Sequence, residues 1–299
     1  MSKMKSTFTG KPYGLKRVCE TWEVPRSTIY YHQATASGKV RVDPPQKRGP
    51  KTPISDDDLL GYIKTDLALS PFQGEGHRKV WARLRVLNSV RVSAKRVLRI
   101  MRENRLLSPH RSRQGNAIEH KGHIITEAPN EMWGTDGARI FTVQDGWVWL
   151  FTAVEHWNAE CVGWHVCKLG DRFAALQPIA MGLKSIYGSV AADVARGLSI
   201  RMDHGTQYLS DHFQNQIEFW GASTSFAFIE QPQTNGVAER FNRTIKEQVV
   251  HGRVFNDLEE VRVAIAAFIE KYNRYWLIEK LGYKTPLQAR ENATLALAA

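Results

Sequence analysis

The sequence predicts an α/β chain with one central mixed sheet, preceded by a basic, all-helical front. Three observations predict it. Charge is segregated: residues 1–120 hold 24 Lys and Arg against 10 Asp and Glu, whereas residues 121–299 hold 17 against 20, within a net charge of +11. Apolar residues up to about position 107 recur at helical spacing between Pro- and Gly-rich stretches. Beyond position 130, aromatic and β-branched runs give way to alternating helical and strand patterns, the order of a mixed sheet with helices packed on it.

The elements follow in order. In "KPYGLKRVCETWEVPRSTIYYHQ" two short helical patterns flank a turn, with Pro25 and Ser27 near the start of the second. Arg26, Ser27 and Thr28 then stand where a recognition helix enters a groove; the plainer reading is a helical hairpin without a ligand. Residues 34–53 lack a hydrophobic period and read as a linker. A second helical unit opens at Ser55, a good N-cap followed by acids in the first turn. "GHRKVWARLRVL" places Val80, Trp81, Leu84 and Leu87 on one stripe, and "SAKRVLRIMRENRLL" does the same with Val97, Leu98, Met101 and Leu106 behind the cap Ser93. Their other faces carry Arg78, Lys79, Arg83, Arg85, Lys95, Arg96, Arg99 and Arg102. A polar linker at 108–129 precedes "MWGTDGARIFTV", "GWVWLFTAVEHW" and "AECVGWHVCKL", three strands of a meander turning at Asp145-Gly146 and Asn158. Then come a helix, the buried strand "LSIRMD", a helix closed by Gly221, the strand "STSFAFI", the loop "QPQTNG" and two long helices.

Composition removes several function classes. The apolar fraction of 42% and charged fraction of 24% are those of a globular protein. No apolar run approaches the roughly 20 residues of a membrane span, and the N-terminus does not read as a secretory signal. Cys19, Cys161 and Cys167 make no disulfide framework and no zinc pattern, and read as reduced thiols of a cytoplasmic protein. The basic front suits a polyanion, DNA or RNA, better than a merely solvated surface, because solubility does not require charge to segregate.

Three carboxylates stand apart. Asp136 lies on the first meander strand, Asp203 ends "LSIRMD", and Glu239 lies on the helix opened by Asn235-Gly236; 66 residues separate the first two and 35 the last two. Two strand-end acids and one helix acid can converge at one sheet edge, where open α/β sheets place their chemistry. Such a cluster suits two Mg²⁺ ions, with Mn²⁺ able to substitute, in an in-line phosphodiester displacement. Each acid alone would be an ordinary cap or loop residue. Glu239, Arg243 and Lys246 share one helix face, which is either a grip on a DNA backbone beside a metal ligand or a surface ion pair contributing about 0.3–0.5 kcal/mol.

"WGTD", "DHGTQY", "NGVAERFNRTIKE" and "YNRYWLIEKLGYKTPLQAR" together resemble the integrase core of OrfB-type transposases from bacterial insertion sequences of the IS-three group, itself similar to retroviral integrases. The resemblance spans roughly residues 55–290. It implies an RNase H-like core at 130–276 with a tail at 277–299, and a helix-turn-helix at 54–107 ahead of that core; the small helix-turn-helix at 1–33 is read from its own helical pattern. It implies Asp136, Asp203 and Glu239 as a catalytic, metal-binding triad and Lys246 as a contact to element-end DNA. Asn235, Arg240, Arg243, Arg26, Lys95 and Arg96 complete the expected DNA-contacting set. The expected partners are the terminal inverted repeats, target DNA, further copies of the chain and a small upstream helix-turn-helix protein joined by frameshifting; the expected location is the bacterial cytoplasm, at the nucleoid. Arg201-Met202 stands where His-Ser is frequent in this group. A DNA-binding regulator without catalysis and a general RNase H-like nuclease are the competing functions. The complete triad argues against the first and the helix-turn-helix units against the second.

Overall fold

The computed structural model describes residues 3–38, 53–108, 124–227 and 235–298. The greater part of both expected linkers and most of "QPQTNG" lie outside the described residues. The chain forms two compact units, Met1–Pro53 and Ile54–Ala299.

The first unit holds α1 (Leu15–Thr21) and α2 (Arg26–Ala36). Pro25 immediately precedes α2, where a fixed φ and a missing N–H cost nothing. Arg26 is the first, exposed residue of that helix.

The second unit opens with three helices, α3 (Asp56–Leu69), α4 (His77–Val86) and α5 (Ala94–Glu103). Ser55 and Ser93 cap α3 and α5 by accepting from Asp58 N at 3.0 Å and Arg96 N at 3.3 Å. Leu59, Ile63, Val80, Leu84, Val97, Ile100 and Met101 form their shared core. The basic faces are less free than their pattern predicts. Arg83 is buried and ion-paired with Asp66 at 2.7 Å and with Glu75. Arg96 and Arg99 both grip Asp56 at 2.6 Å, tying α5 to the start of α3.

The sheet has the order β3-β2-β1-β4-β5. β1 (Met132–Thr142), β2 (Gly146–Glu155) and β3 (Cys161–Cys167) form the antiparallel meander, and β4 (Ser199–Met202) and β5 (Ser223–Phe226) continue it in parallel. This mixed five-stranded sheet with helices on both faces is the arrangement expected of an RNase H-like core. Gly146, at φ 70°, makes the first hairpin turn. Alternation along β1 and β2 builds a core on each face. Trp133, Phe151, Ile200 and Met202 meet α6 (Arg172–Tyr187), α7 (Thr206–Leu209) and α8 (Asp211–Phe219) on one side. Ile140, Leu150 and Val154 meet α9 (Gly236–Ile245) and α10 (Leu258–Tyr275) on the other. Each fully buried large apolar side chain contributes about 1.5–3 kcal/mol, so these two layers dominate the stability of the unit. Gly221 (φ 79°) closes the turn after α8, where a Cβ would lie 2.9 Å from Asp193 Cα.

The helical front of this unit packs on the core. Phe72 joins the second core layer, 4.8 Å from Trp276 and 6.3 Å from Phe268 between ring centroids. Gln73 and Gln248 exchange backbone–side-chain hydrogen bonds of 3.0 and 2.7 Å, and Trp81 stacks edge-on against Tyr283. The tail is ordered as well: α11 (Pro286–Ala298) buries Ala289 and directs Arg290 to Glu160 and Glu155.

Candidate active site

Asp136 sits midway along β1 on the face that α9 covers. The β1–β4 register pairs Gly134 with Arg201. Carried two residues further, it sets Asp136 level with Asp203, on the same face by the two-residue period of a strand. A Cβ on Gly134 would lie within 2.8–3.3 Å of Asn235 Oδ1, His156 Nε2 and Ala238 Cβ. The missing side chain at Gly134 is therefore what lets the start of α9 approach the sheet and bring Glu239, one turn later, over the two aspartates.

The Asp136 carboxylate is held from two sides. Oδ1 accepts from Gly137 N at 2.8 Å, and Oδ2 accepts from Asn242 Nδ2 at 2.9 Å. Asn242 is buried and its own Oδ1 accepts from Thr152 Oγ1 at 3.1 Å. Asp203 is exposed, with Oδ1 accepting from Gly205 N at 2.9 Å. Burial holds the Asp136 carboxyl above its ordinary range, with Asp203 adding to the rise; Asn242, Gly137 and the Lys246 ammonium oppose it. Burial likewise raises Glu239, and Asp136 and Asp203 push it further while Arg243 pulls it down. The Asp203 charge thus reaches both other acids, and Asp136 reaches Glu239, each disfavouring the charged form it acts on.

Among the described residues, no three His, Cys, Asp or Glu side chains are drawn together around a single ion position. A pair of ions does not need that, because each can take two carboxylates and complete its shell with water and phosphate oxygens. The donor set fits Mg²⁺: hard oxygens only, with spare lone pairs and a mutual repulsion that a cation relieves.

The other expected contact residues divide. Arg243 and Lys246 are exposed, and their charges reach Glu239 and Asp136 respectively. α9 ends at Ile245, and Lys246 begins a π-helical turn, Lys246–Val250, in place of the straight α-helix that the sequence predicts. Such a turn is frequent at functional sites. Arg240 is exposed, but its charge acts on Lys79 and Tyr272, so it lies on the flank toward α4 and α10. Asn235 corrects an expectation. It is buried and donates to Thr135 O at 3.0 Å, pinning the start of α9 to β1 rather than facing DNA. Arg96 corrects another, since its guanidinium is taken up by Asp56 and by the carbonyl of Ile54 at 2.7 Å. Lys95 is exposed. Arg201 is buried and donates to Ser225 Oγ at 2.7 Å, while Met202 joins the core; the departure from His-Ser is absorbed by packing on both faces of β4. Asn242 and Gly134 were missed by sequence reasoning. Asn242 stands three residues after Glu239, a spacing that puts both on one helix face, and that was the available signal.

An integrase core domain model matches residues 221–286, which include Glu239, Asn242 and Lys246, and an HTH-like domain model matches residues 74–114. The transposase for insertion sequence element IS629 of Shigella sonnei is 23% identical over 292 residues, covering 93% of this chain and 92% of that protein. Over most of its length the chain is similar to transposases of insertion sequences. Transposase InsD for insertion element IS2A/D/F/H/I/K of Escherichia coli is 25% identical over 237 residues, 77% of this chain and 78% of its own length. Among solved structures, the HTLV-2 integrase catalytic core in complex with magnesium covers 55% of this chain and 97% of its own, at 18% identity and a TM-score of 0.41.

Proposed function

We propose that this chain is a transposase that cleaves the ends of its element and joins them to target DNA, using Asp136, Asp203 and Glu239 as ligands to two Mg²⁺ ions. The observation that carries the reading is the placement of Asp136 beside Asp203 and Glu239, with the Asp136 and Glu239 carboxyls held above their ordinary range and Asp136 gripped by a buried amide. A structural acid cluster would be neutralised by neighbouring bases. Here the nearest bases, Arg243 and Lys246, are exposed and available to phosphates.

Bound ions would activate the attacking oxygen and stabilise the leaving one. The chain's own residues have separate tasks. Asn242 and Gly137 fix the rotamer of Asp136, so its free lone pairs face Asp203 and Glu239. Gly205 N holds the Asp203 carboxylate against the turn that follows β4. Arg243 and Lys246 bind backbone phosphates of the element end on the open side of α9, and hold the scissile link over the acids. Arg26 and Lys95 also contact DNA, and several copies assemble on paired ends. Whether the upstream helix-turn-helix protein is fused to the active form is read by assaying both forms on the same ends.

The test is nicking of labelled terminal-repeat DNA. Asp203→Asn should bind the ends as wild type does and lose Mg²⁺-dependent nicking. Near-normal nicking by that variant sinks the assignment, and a wild-type chain that binds ends without nicking them, alone or fused, is the regulator.

A further inference from the structure

On the sheet face opposite the acids, Phe151 is a member of the first core layer and the partly buried Trp149 packs against that layer. Beyond Phe151, β1 and β2 carry Arg139 paired with Trp149 and Phe141 paired with Trp147 on the same face. Phe141 and Trp147 are 52% and 59% exposed and stand edge to face at 5.4 Å. Trp149 lies parallel to Phe151 at 5.6 Å and 6°, with the Arg139 guanidinium 5.2 Å from its ring centre. Gly170 lies against the Trp149 indole, where a Cβ would come within 2.4 Å. That contact continues the surface to the half-exposed Phe173, which has the Arg172 guanidinium 5.1 Å above its ring.

We infer that this aromatic ladder binds unpaired nucleotides of a DNA strand leaving the active site. Three features select this occupant. Rings interleaved with guanidinium groups supply stacking for bases and charge for phosphates, the combination that holds single strands without regard to sequence. Among the described residues neither Arg139 nor Arg172 has an ion-pair partner, and the acids nearby are already engaged: Asp145 by Lys168 at 2.7 Å and Asp171 as the cap of α6. A two-fold contact between copies would instead bring Arg139 and Arg172 of both copies toward one another. The surface is also continuous with the site. β4 pairs with β1 only at Met132–Gly134, and the Phe255 segment bridges β1 only at Thr142, so neither pairs with the edge of β1 between Asp136 and Phe141. Arg139 and Phe141 lie three and five residues on, about 10 and 17 Å along the strand.

This inference rests on reading the carboxylate centre as one that processes DNA, and its test is binding without metal, so that failed nicking leaves the readout intact. Fluorescence anisotropy of the full chain in EDTA is measured with a labelled oligothymidylate and with a blunt duplex of the same length. Phe141→Ala with Trp147→Ala should weaken oligothymidylate binding about tenfold or more, as loss of base stacking does, and change duplex binding less than about twofold. Trp147→Phe should retain most of the single-strand affinity. Equal oligothymidylate affinity in the double variant and wild type would overturn the inference. So would a parallel loss of duplex binding, or a wild-type dimer by sedimentation that the double variant lacks.

Discussion

Asn242→Leu isolates what the buried amide does for the acid centre. In the native chain, Asp136 accepts two hydrogen bonds, from Gly137 N at 2.8 Å and Asn242 Nδ2 at 2.9 Å. The variant keeps the first, loses the second and fills the same buried volume. A hydrogen bond to a charged group contributes about 1.5–3 kcal/mol, so the ionised form of Asp136 becomes less favourable by roughly that amount. Since a metal ligand must be ionised, affinity should fall by about 10- to 150-fold at about 1.4 kcal/mol per decade. The assay is the Mg²⁺ concentration giving half-maximal nicking of terminal-repeat DNA, with a thermal melt to show that the variant folds. Thr152→Val removes only the bond that orients Asn242, and should raise the required Mg²⁺ by less than Asn242→Leu does. Asn242→Asp sets a carboxylate where the donor was and should be the most damaging of the three. A folded Asn242→Leu variant with the Mg²⁺ dependence of wild type would refute the reasoning.

Three other outcomes are expected. Lys246→Ala should weaken binding of the element end and reduce its salt slope by about one unit, while sparing the fold; unchanged binding and cleavage would make Lys246 an ordinary surface residue. Mg²⁺ at about 100 times its Kd should stabilise the wild type by roughly 2.7 kcal/mol, visible as a rise in Tm, because it relieves repulsion among Asp136, Asp203 and Glu239. Asp136→Asn should abolish most of that rise, and a wild-type Tm indifferent to Mg²⁺ would contradict the metal reading. Lys79 gives a pH dependence: its Nζ is buried without a hydrogen-bond partner, and burial pulls its pKa from 10.5 down to about 6. Between those values the unfolded chain binds a proton that the folded chain does not, so stability rises with pH across that window. Lys79→Met should flatten the rise and add roughly 1–3 kcal/mol near neutral pH; an unchanged slope between pH 7 and 9 would refute it.

Which features were legible depended on whether they are local. The meander, the caps Ser55 and Ser93, the turn at Gly146 and the closing Gly221 follow from short-range chemistry, and the structure has each of them. The nearness of Asp136 to Asp203 was legible for a different reason: it follows from strand register once the strands are placed. Asn235 could not be read correctly, because Asn-Gly signals a turn equally well whether its amide meets solvent or a strand carbonyl 100 residues away in sequence. The π-helical turn at Lys246 was illegible as well, since nothing in "TIKEQVV" breaks an α-helical period.

The basic front shows how far segregated charge can be trusted. Counted along the chain, α4 and α5 offer eight cations on faces opposite their apolar stripes. Arg83 is instead the centre of a buried pair with Asp66 and Glu75, and Arg96 and Arg99 close on Asp56. Arg78 pairs with Glu279, and Lys79 stands 3.6 Å over the ring of Trp276. Arg85, Lys95 and Arg102 remain exposed. The arginines that look most like a DNA-binding stripe are therefore largely those that fold the three-helix unit and seat it on the core. A removed partner would leave an uncompensated buried charge, at a cost of about 3–5 kcal/mol, so Asp66→Ala should be felt as lost stability and not as lost DNA affinity. The same packing puts α4 within electrostatic reach of Arg240, the neighbour of Glu239 in sequence. The exposed residues of α5 are thereby carried on a body already packed against the sheet that holds Asp136 and Asp203.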